Sequence, residues 1–446
     1  MKLAFIKPNI GRMEHSLYVD EGRMEPLQIG VLAALTPPHV EVVLYDDRME
    51  EIPYDDPVDV VAITVETYTA RRAYEIADAF RERGIPVILG GIHVTLLPDE
   101  PRHHADSILM GDAESIWSTV VKDAEKGCLK PVYRASPGMP QPGFKARRDI
   151  FEGKGYLPMT LTQFSRGCRF ACNFCAVSQY FDRRHYYRPV REVIEEIETQ
   201  ERKLVFIVDD NIAGDREALK ELCREMIPLG INWFSQASLD ITRDLELMRL
   251  MERSGCLGHV IGFESLKTEN LKWMNKSPNI GGFDHYKTQV KILREHGQHT
   301  WAAFTIGHDH DTKDSVSEIL EFALENKFAF SAFNILMPYP GTPLYRQLES
   351  EKRLLYDGKW WLHPEYRFNN AAFIPGNMTP DELTAACHSA RRQFNSLGGI
   401  LRRAADPYKL KSISKLVYYL TYARLFRKEV YKKHGMQFGL KNASST

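Results

Sequence analysis

The 446-residue chain has no long hydrophobic run, no excess of charge of either sign and few cysteines. No stretch approaches the ~18 apolar residues of a membrane span, and the first residues contain no signal-peptide core. The 58 basic and 59 acidic residues nearly balance, so whole-chain charge gives no reason to expect a polyanionic partner. Seven cysteines are too few for the disulfide scaffold of a secreted protein. Together these absences predict a cytoplasmic globular protein.

The first part of the chain alternates short apolar runs with helical patterns, and we assign it to a domain of residues 1–145. This alternation predicts a doubly wound, Rossmann-like α/β domain, in which ligands bind at the carboxyl ends of parallel strands. A Pro- and Gly-rich stretch at 135–149 predicts an interdomain connection, and we place the linker at 146–157. The predicted strands are 3–7, 40–46, 59–65, 86–91 and 107–111, and the predicted helices are 26–35, 70–84 and 113–127.

Beyond the linker the alternation resumes through residues 158–345. Six β/α units are fewer than the eight of a closed barrel, so they predict an open (β/α)6 barrel with its chemistry at the strand carboxyl ends. Residues 346–446 are predicted to be a mostly helical C-terminal region. The predicted barrel strands are 161–165, 203–210, 231–237, 258–264, 300–307 and 330–337, and the helices between them include 191–200, 217–226, 244–255 and 315–326.

Three cysteines, Cys168, Cys172 and Cys175, lie within eight residues with the spacing C-x3-C-x2-C. Thiolates are soft ligands that suit zinc or iron–sulfur clusters. A structural zinc site uses four ligands, so a zinc site here would have to recruit His185, the nearest histidine. Three cysteines on a 4Fe–4S cluster would instead leave one iron open to a small molecule. The other four cysteines show no short pairing, so no second cluster is predicted.

With Phe174 between the last two cysteines, the motif resembles that of the radical S-adenosylmethionine (SAM) superfamily. The resemblance implies that the open iron chelates the amino and carboxylate groups of SAM. It also implies that one electron from the cluster cleaves a sulfur–carbon bond of SAM to give a 5′-deoxyadenosyl radical. An external one-electron donor of the flavodoxin or ferredoxin type is therefore expected as a partner.

Polar residues at the ends of the next three predicted strands match the positions at which this superfamily contacts SAM. The resemblance assigns Asp209 or Asp210 to the amino group, without choosing between them. It assigns Ser235 and Gln236 to the carboxylate, and Glu264 to the ribose hydroxyls, with Gly262 and Ser265 beside it. An isolated acid at a strand end is often only a helix cap, so the order of the set carries the argument.

A doubly wound domain in front of such a barrel resembles the cobalamin-binding branch of the superfamily. The resemblance places the cobalamin contacts in loops at the sheet's carboxyl edge. The D-x-H-x-x-G motif, whose histidine binds cobalt in many other cobalamin proteins, is absent, and His93 could either replace it or bond a neighbouring loop. The domain could alternatively be structural or bind substrate. The predicted cobalamin contacts are Thr64, Gly90, Gly91, His93, Gly111 and Glu114.

For this branch, the resemblance implies a C-methyltransferase that acts on an unactivated carbon of a hydrophobic or natural-product-type substrate. One SAM would supply the methyl group through cobalamin, and a second would supply the radical. A radical SAM cyclase or oxidoreductase, with or without cobalamin, is the alternative. A non-catalytic cobalamin or redox sensor is a more distant one, because a sensor has no need of a ribose-binding glutamate.

The C-terminal tail is basic. Residues 401–446 hold eleven Lys and Arg against two acids, and 412–435 have apolar residues at helical spacing. Such a helix either packs its apolar stripe on the barrel or lies on an anionic membrane surface, which would favour a lipid- or pigment-like substrate. Without a recognised binding module, no nucleic acid is expected as a partner.

Overall fold

The computed structural model describes residues 1–11, 23–139, 143, 145–410 and 413–439, and its first half contains a parallel six-stranded sheet. The strand order is β2-β1-β3-β4-β5-β6, which is the doubly wound arrangement predicted from the alternating pattern. The short edge strand β6 was not predicted. The elements are β1 Lys2–Lys7, α1 Leu27–Leu35, β2 Glu41–Asp46, β3 Val60–Thr64, α2 Ala70–Arg81, β4 Val87–Gly90, α3 Ile92–Leu96, β5 Ser107–Met110, α4 Trp117–Glu125 and β6 Val132–Arg134.

Helices cover both faces of this sheet, which explains why its central strands are continuous apolar runs. On β1, Leu3 and Phe5 pack in a cluster with Trp117 of α4, whereas Ala4 and Ile6 belong to the cluster on the opposite face. The helices therefore leave only the strand ends for a ligand. The carboxyl ends of β3, β4 and β5 open toward the second half of the chain.

The second half forms another six-stranded, all-parallel sheet in the order β7-β10-β11-β12-β13-β14, which confirms the predicted open barrel. A separate antiparallel hairpin, β8 with β9, follows β7. The predicted strand 161–165 thus spans two short strands. The elements are β7 Thr160–Thr162, β8 Ser165–Gly167, α5 Ala176–Tyr180, β9 His185–Tyr187, α6 Val190–Glu198, β10 Leu204–Ile207, α7 Arg216–Met226, β11 Asn232–Ala237, α8 Leu245–Arg253, β12 Cys256–Glu264, α9 Thr268–Trp273, α10 Gly282–Glu295, β13 His299–Ile306, α11 Lys313–Glu325, β14 Phe330–Ile335 and α12 Pro343–Ser350.

Ion pairs join the two halves beside the predicted linker. Arg148 donates to Glu25, which precedes α1, at 3.1 Å and to Glu196 of α6 at 2.8 Å. Arg202 donates to the other oxygen of Glu25 at 2.7 Å. Glu25 and Glu196 are buried, so losing a partner would leave a carboxylate uncompensated. These contacts fix the carboxyl edge of the first sheet against the barrel.

In the described part of the C-terminal region, four helices follow α12, and the last of them carries most of the basic tail. Tyr419 and Ala423 of this helix are buried in a small cluster with Ala329 and Ile400, so the helix packs against the barrel. Val417, on its other side, is 56% exposed. Among the described residues, no helix is long and apolar enough to cross a membrane. The helices are α13 Pro380–Phe394, α14 Leu397–Ala404, α15 Pro407–Leu410 and α16 Ile413–Lys433.

Candidate active site

The three clustered cysteines lie in the loop between β8 and α5. Cys172 is buried and the other two are half-buried, and all three thiols are free. Burial raises the pKa of Cys172 to about 12, so this thiol stays protonated at neutral pH unless a metal displaces its proton. The Asn211 amide, after β10, lies 3.9 Å from the sulfur of Cys168. The loop thus brings three free thiols close to the carboxyl end of β10.

The zinc alternative lacks its ligand geometry. In the part of the chain that the structure describes, no three His, Cys, Asp or Glu side chains lie close enough to hold one metal ion. The His185 ring instead lies against Gly214, where a Cβ would come within 2.3 Å of it. A four-iron cluster takes each thiolate on a different iron and therefore does not need the thiols to converge on one point.

The two aspartates after β10 accept hydrogen bonds from the backbone that leads into the cysteine loop, and Asp210 also faces a cavity. Asp209 is fully buried and accepts hydrogen bonds from the backbone of Phe164 at 2.9 Å and of Ser165 at 2.8 Å, with a third from the Ser165 hydroxyl. Of the pair from which a SAM contact was predicted, Asp209 is thus the enclosed member, and burial raises its pKa to about 7. Asp210 accepts from the Gly167 amide at 2.7 Å and lines a cavity described below.

Two predicted serines also have internal roles, which corrects their assignment to SAM. The fully buried Ser235 hydroxyl donates to the Ile207 carbonyl at 2.7 Å. The Ser265 hydroxyl accepts from Asn270, and only 1% of the residue is exposed. Gln236 is half-buried. It lies two residues after Phe234, so both side chains point to the same face of β11, the one toward the barrel interior. Phe174, between the cysteines, is half-buried and packs on the main core.

Glu264 lies at the centre of a set of polar side chains in the barrel that includes Lys276 and Thr305. Lys276 donates to one carboxylate oxygen at 3.0 Å, and the Thr305 hydroxyl donates to the other at 2.6 Å. The backbone of Glu264 has φ +65°, a left-handed conformation that is strained for a residue with a side chain. Gly262 lacks a Cβ where one would lie 2.1 Å from that carboxylate, so the glycine makes room for it.

Lys276 adds the positive charge that sequence reasoning missed. Its side chain is only 14% exposed and pairs with Glu264, which is 9% exposed. Burial lowers the pKa of this lysine, but the Glu264 carboxylate, together with the thiols of Cys172 and Cys175 once they are deprotonated, raises it above the usual value. One buried ammonium therefore serves both the carboxylate and the cysteine loop, and Coulombic attraction is strong in so dry a setting.

A cavity of about 560 Å³ lies between the carboxyl edge of the first sheet and the cysteine side of the barrel. Five of the six predicted cobalamin contacts line it. The barrel contributes polar side chains to the same cavity. They come from the cysteine hairpin, by which we mean β8, β9 and the segment with the three cysteines between them, and from the carboxyl end of β10. The predicted contacts are Thr64, Gly90, Gly91, Gly111 and Glu114, and the barrel groups include Gln163, Arg166, Tyr180 and Asp210.

The floor of this cavity has room for a large ligand against the backbone. A Cβ at Gly90 would meet protein atoms only at ordinary contact distance, so no neighbour requires glycine there. At Gly91 and Gly111, with φ +113° and +81°, backbone crowding does require glycine. Gly90 thus leaves bare backbone at the sheet edge, whereas Gly91 and Gly111 allow the chain to turn closely against its own backbone.

His93 is the predicted cobalamin contact that the structure contradicts. The residue has no exposed surface, and its ring nitrogens lie 3.2 Å from the Thr67 hydroxyl and 3.2 Å from a Glu100 oxygen. Glu100 also accepts from the Trp361 indole at 2.9 Å. His93 therefore ties its loop to the C-terminal region, as the loop-bonding alternative held, and does not line the cavity.

Arg166 connects the cavity with the cysteine loop and was also missed. It pairs with Glu114 at 2.6 Å and with Asp112 at 3.6 Å, and donates to Gln163 at 2.6 Å. The Arg166 side chain is 11% exposed. The residue lies only two positions before Cys168 in the chain. The two halves of the site are thus linked by one buried arginine.

Comparison with known proteins decides the family. The profile of the Radical SAM superfamily matches residues 162–323. The bacteriochlorophyllide d C-12(1)-methyltransferase of Chlorobaculum tepidum is 32% identical over 406 residues, which cover 88% of this chain and 87% of that protein. The chain belongs to the radical SAM superfamily. This radical SAM protein shares its fold with a solved methyltransferase that was determined with cobalamin bound.

Two further comparisons extend this placement. The radical SAM protein is 24% identical over 443 residues to the anaerobic magnesium-protoporphyrin IX monomethyl ester cyclase of Rubrivivax gelatinosus, covering 88% of this chain and 77% of the cyclase. Its fold matches the radical SAM methyltransferase TsrM from Kitasatospora setae with a TM-score of 0.66. That match is 14% identical and covers 96% of this chain and 98% of TsrM.

Proposed function

We propose that this radical SAM enzyme is a cobalamin-dependent C-methyltransferase. The observation that carries the proposal is the cavity shared by the sheet edge and the cysteine hairpin. Asp210 lines that cavity and holds Gly167, the residue before Cys168. A ligand on the sheet edge would therefore lie beside the cluster loop, where a methyl donor and a radical source must both reach one substrate.

The chain's residues divide into those that hold each cofactor. Cys168, Cys172 and Cys175 would hold the 4Fe–4S cluster, and Glu264 would accept two ribose hydroxyls of SAM, since charge-assisted hydrogen bonds are strong. Gln236, Gly262, Asn211 and Phe174 would complete the SAM contacts. Thr64, Gly90, Gly91, Gly111 and Glu114 would hold cobalamin. When bound, the cluster with SAM supplies the radical and cobalamin carries the methyl group.

The protein's own part is placement and exclusion of water. Asp209 and Asp210 fix the loop that carries the cysteines, and Arg166 fixes that loop to the cobalamin cavity. The balanced reaction consumes two SAM and two electrons. It replaces a substrate C–H by C–CH3 and releases S-adenosylhomocysteine, methionine and 5′-deoxyadenosine. The electrons require an external donor, which we propose is of the flavodoxin or ferredoxin type.

The activities of two relatives support a substrate class. One relative methylates a bacteriochlorophyllide, and another is a cyclase of a magnesium porphyrin ester. We therefore propose a hydrophobic tetrapyrrole-type substrate, with ring formation as the second candidate reaction. Enzyme supplied with SAM labelled in its methyl group separates the two, because methyl transfer places the label in the product and cyclisation does not.

Domain limits and location belong to the same proposal. We propose domains at 1–145 and 158–345, a linker at 146–157 and a helical region at 346–446, in a cytoplasmic enzyme. Membrane contact through the basic tail is supported only by its charge, because α16 uses Tyr419 and Ala423 against the barrel. Flotation with anionic and neutral liposomes tests it, and salt-sensitive binding to the anionic ones is the expected result.

Replacing Arg166 by methionine is expected to weaken cobalamin retention. The substitution leaves Glu114 and Asp112 without their buried cation, and breaking such a pair costs about 3–5 kcal/mol. We expect at least a tenfold loss of cobalamin affinity, measured by the corrin absorbance that remains after gel filtration. Arg191→Met is the matched control, because Arg191 is 89% exposed and pairs only across a helix turn. Equal retention by the two variants would refute the bridging role.

Replacing Lys276 by methionine is expected to weaken SAM binding at least tenfold. Methionine keeps the apolar stem but leaves the Glu264 carboxylate buried without its cation. The Kd of SAM, measured by equilibrium dialysis on reconstituted protein, reports the loss. Lys272→Met, at an exposed position of α9, is the control and should bind SAM normally. Lys276→Arg should restore most of the affinity, and a purely steric role would predict no such rescue.

A further inference from the structure

The surface of the cysteine hairpin carries an excess of positive charge. Residues 165–188, which contain the hairpin, hold five arginines and a single acid, Asp182. Two of the arginines are enclosed and pair with glutamates. The other three are exposed, and we name them the arginine patch. They are Arg169, Arg183 and Arg184.

The charge of the arginine patch is largely uncompensated by the chain itself. Arg184 comes only within 3.9 Å of Asp182, and both side chains are mainly exposed, so their pair contributes little. Among the described residues, Arg169 and Arg183 have no ion-pair partner. Residues 1–400 hold 47 basic and 57 acidic side chains. The patch is therefore a local positive area on an otherwise acidic body.

The arginine patch lies beside the first cluster ligand. Arg169 follows Cys168 in the chain, and Arg184 precedes His185, whose backbone pairs with Gly167 across the hairpin. A Cβ at Gly167 would lie 2.2 Å from the Arg184 carbonyl oxygen, so these two segments are in close contact. Burial, and after it the charge of Arg169, lowers the pKa of His185, which places Arg169 near the same ring. The three guanidinium groups thus belong to the surface that adjoins Cys168.

A strained turn presents two of these arginines. Asp182 and Arg183 have φ +48° and +57°, a left-handed conformation that is unfavourable for residues with side chains. The Arg183 amide donates to the Ser178 carbonyl at 3.1 Å, and the Ser178 hydroxyl donates to the Phe170 carbonyl at 2.9 Å. These bonds fasten the turn to the cysteine loop. The positions of the charges are therefore set before any partner binds.

The composition of this surface is typical of a protein interface. Arginine and tyrosine are enriched in interfaces, whereas lysine is depleted. Residues 165–188 contain no lysine, and Tyr187 on β9 is 49% exposed three residues after Arg184. The surface thus offers an aromatic contact next to its charges.

We propose that the arginine patch is the docking surface of the external electron donor, and that this donor is a small acidic protein of the flavodoxin type. The inference rests on the proposed function, because it names the surface for the donor which that function requires. Opposite charges speed the encounter and orient the donor with its flavin toward Cys168. One electron passes from the reduced flavin of the donor to the 4Fe–4S cluster, and no bond is made or broken.

The basic C-terminal tail carries more charge but lies at the wrong end of the barrel. Phe426 of α16 contacts Trp301 near the start of β13 and Phe330 at the start of β14. The eight residues of β13 span about 26 Å at 3.3 Å per residue, and the cysteines lie beyond the opposite, carboxyl ends of the strands. Electron transfer slows steeply with distance, so a donor on the tail would be too far from the cluster.

The first test is calorimetric titration of reconstituted full-length protein with an oxidised bacterial flavodoxin at low ionic strength. Reversing two patch charges, by Arg183→Glu with Arg184→Glu, should raise the Kd about tenfold or more. The control is Arg424→Glu with Lys428→Glu, at two exposed positions of α16, which changes the net charge by the same amount. The difference in Kd should shrink in 1 M salt, where the Debye length is about 3 Å.

Stopped-flow reduction of the cluster is the second readout. Reduced flavodoxin should reduce the patch variant about tenfold more slowly than the unsubstituted protein, because steering by the charges is lost. Photoreduced deazaflavin, a small reductant that needs no docking surface, should reduce both proteins at the same rate. Equal rates with deazaflavin show that the variant folds and keeps its cluster.

The outcomes separate docking from the methylation reaction. Weaker binding and slower reduction in the patch variant alone support the proposal, even if no methylated product forms, and that second failure would count against methyl transfer alone. Absence of flavodoxin binding to the unsubstituted protein, an unchanged Kd in the patch variant, or equal weakening in the α16 control overturns the proposal. Slower reduction of the patch variant by deazaflavin would also overturn it, because the effect would then arise in the cluster.

Discussion

Alanine in place of any one of Cys168, Cys172 or Cys175 is expected to remove the cluster and all 5′-deoxyadenosine formation. Each thiolate holds a different iron, and with the fourth iron already open, a cluster left with two protein ligands has no replacement donor in the described part of the loop. Iron content should fall from about four per chain to near zero. The measurements are iron analysis after reconstitution and chromatographic assay of 5′-deoxyadenosine.

The remaining cysteines supply the controls for this prediction. Cys128 is exposed in the first domain, and Cys128→Ser should keep full iron content and activity. Cys387 is buried in α13, so Cys387→Ala should lower stability without touching the cluster. Full iron content in any triad variant would contradict the assignment, as would an iron count well above four per unsubstituted chain.

Glu264→Gln is expected to raise the Kd of SAM about 100-fold, which corresponds to roughly 2.7 kcal/mol. The amide keeps the shape of the side chain but withdraws the negative charge, so the Lys276 ammonium becomes a buried, uncompensated cation. The ribose of SAM also loses its charged hydrogen-bond acceptor. Equilibrium dialysis with SAM measures the effect without any need for turnover.

Combining Glu264→Gln with Lys276→Met tests whether the two groups act as a pair. Because each single variant strands its partner, the double variant should lose less affinity than the sum, with a coupling energy of about 0.5–3 kcal/mol. Additive losses would mean that the 3.0 Å contact has no part in SAM binding. Normal SAM binding by Glu264→Gln alone would remove Glu264 from the proposed contacts.

Much of the fold could be predicted from the sequence because the central strands are buried on both faces. The pattern at 3–7 corresponds to Lys2–Lys7, and that at 59–65 to Val60–Thr64. The missed strands, Val132–Arg134 and the hairpin Ser165–Gly167 with His185–Tyr187, are three residues each. So short a strand has no period to detect, and its pairing depends on neighbours far along the chain.

Some parts of the candidate site could also be predicted from the sequence, and others could not. The cysteine spacing is local and needs no tertiary information, whereas the partners of Asp209 and His93 depend on which loops the fold brings beside them. An aspartate at a strand end has the same sequence pattern whether it faces a ligand or, as here, the amides of Phe164 and Ser165. Lys276 and Arg166 gave no signal, because a lone basic residue is ordinarily a solvated surface group.

We propose that one active site uses a radical and a methyl carrier on the same substrate, and quantifying all products of a single reaction mixture checks this. Reconstituted enzyme with cobalamin, a one-electron donor and methyl-labelled SAM is supplied with bacteriochlorophyllide d. We expect equal amounts of S-adenosylhomocysteine, 5′-deoxyadenosine and a product that carries the label, with methyl transfer lost when cobalamin is omitted. Formation of 5′-deoxyadenosine with an unlabelled, ring-closed product and no S-adenosylhomocysteine would contradict it.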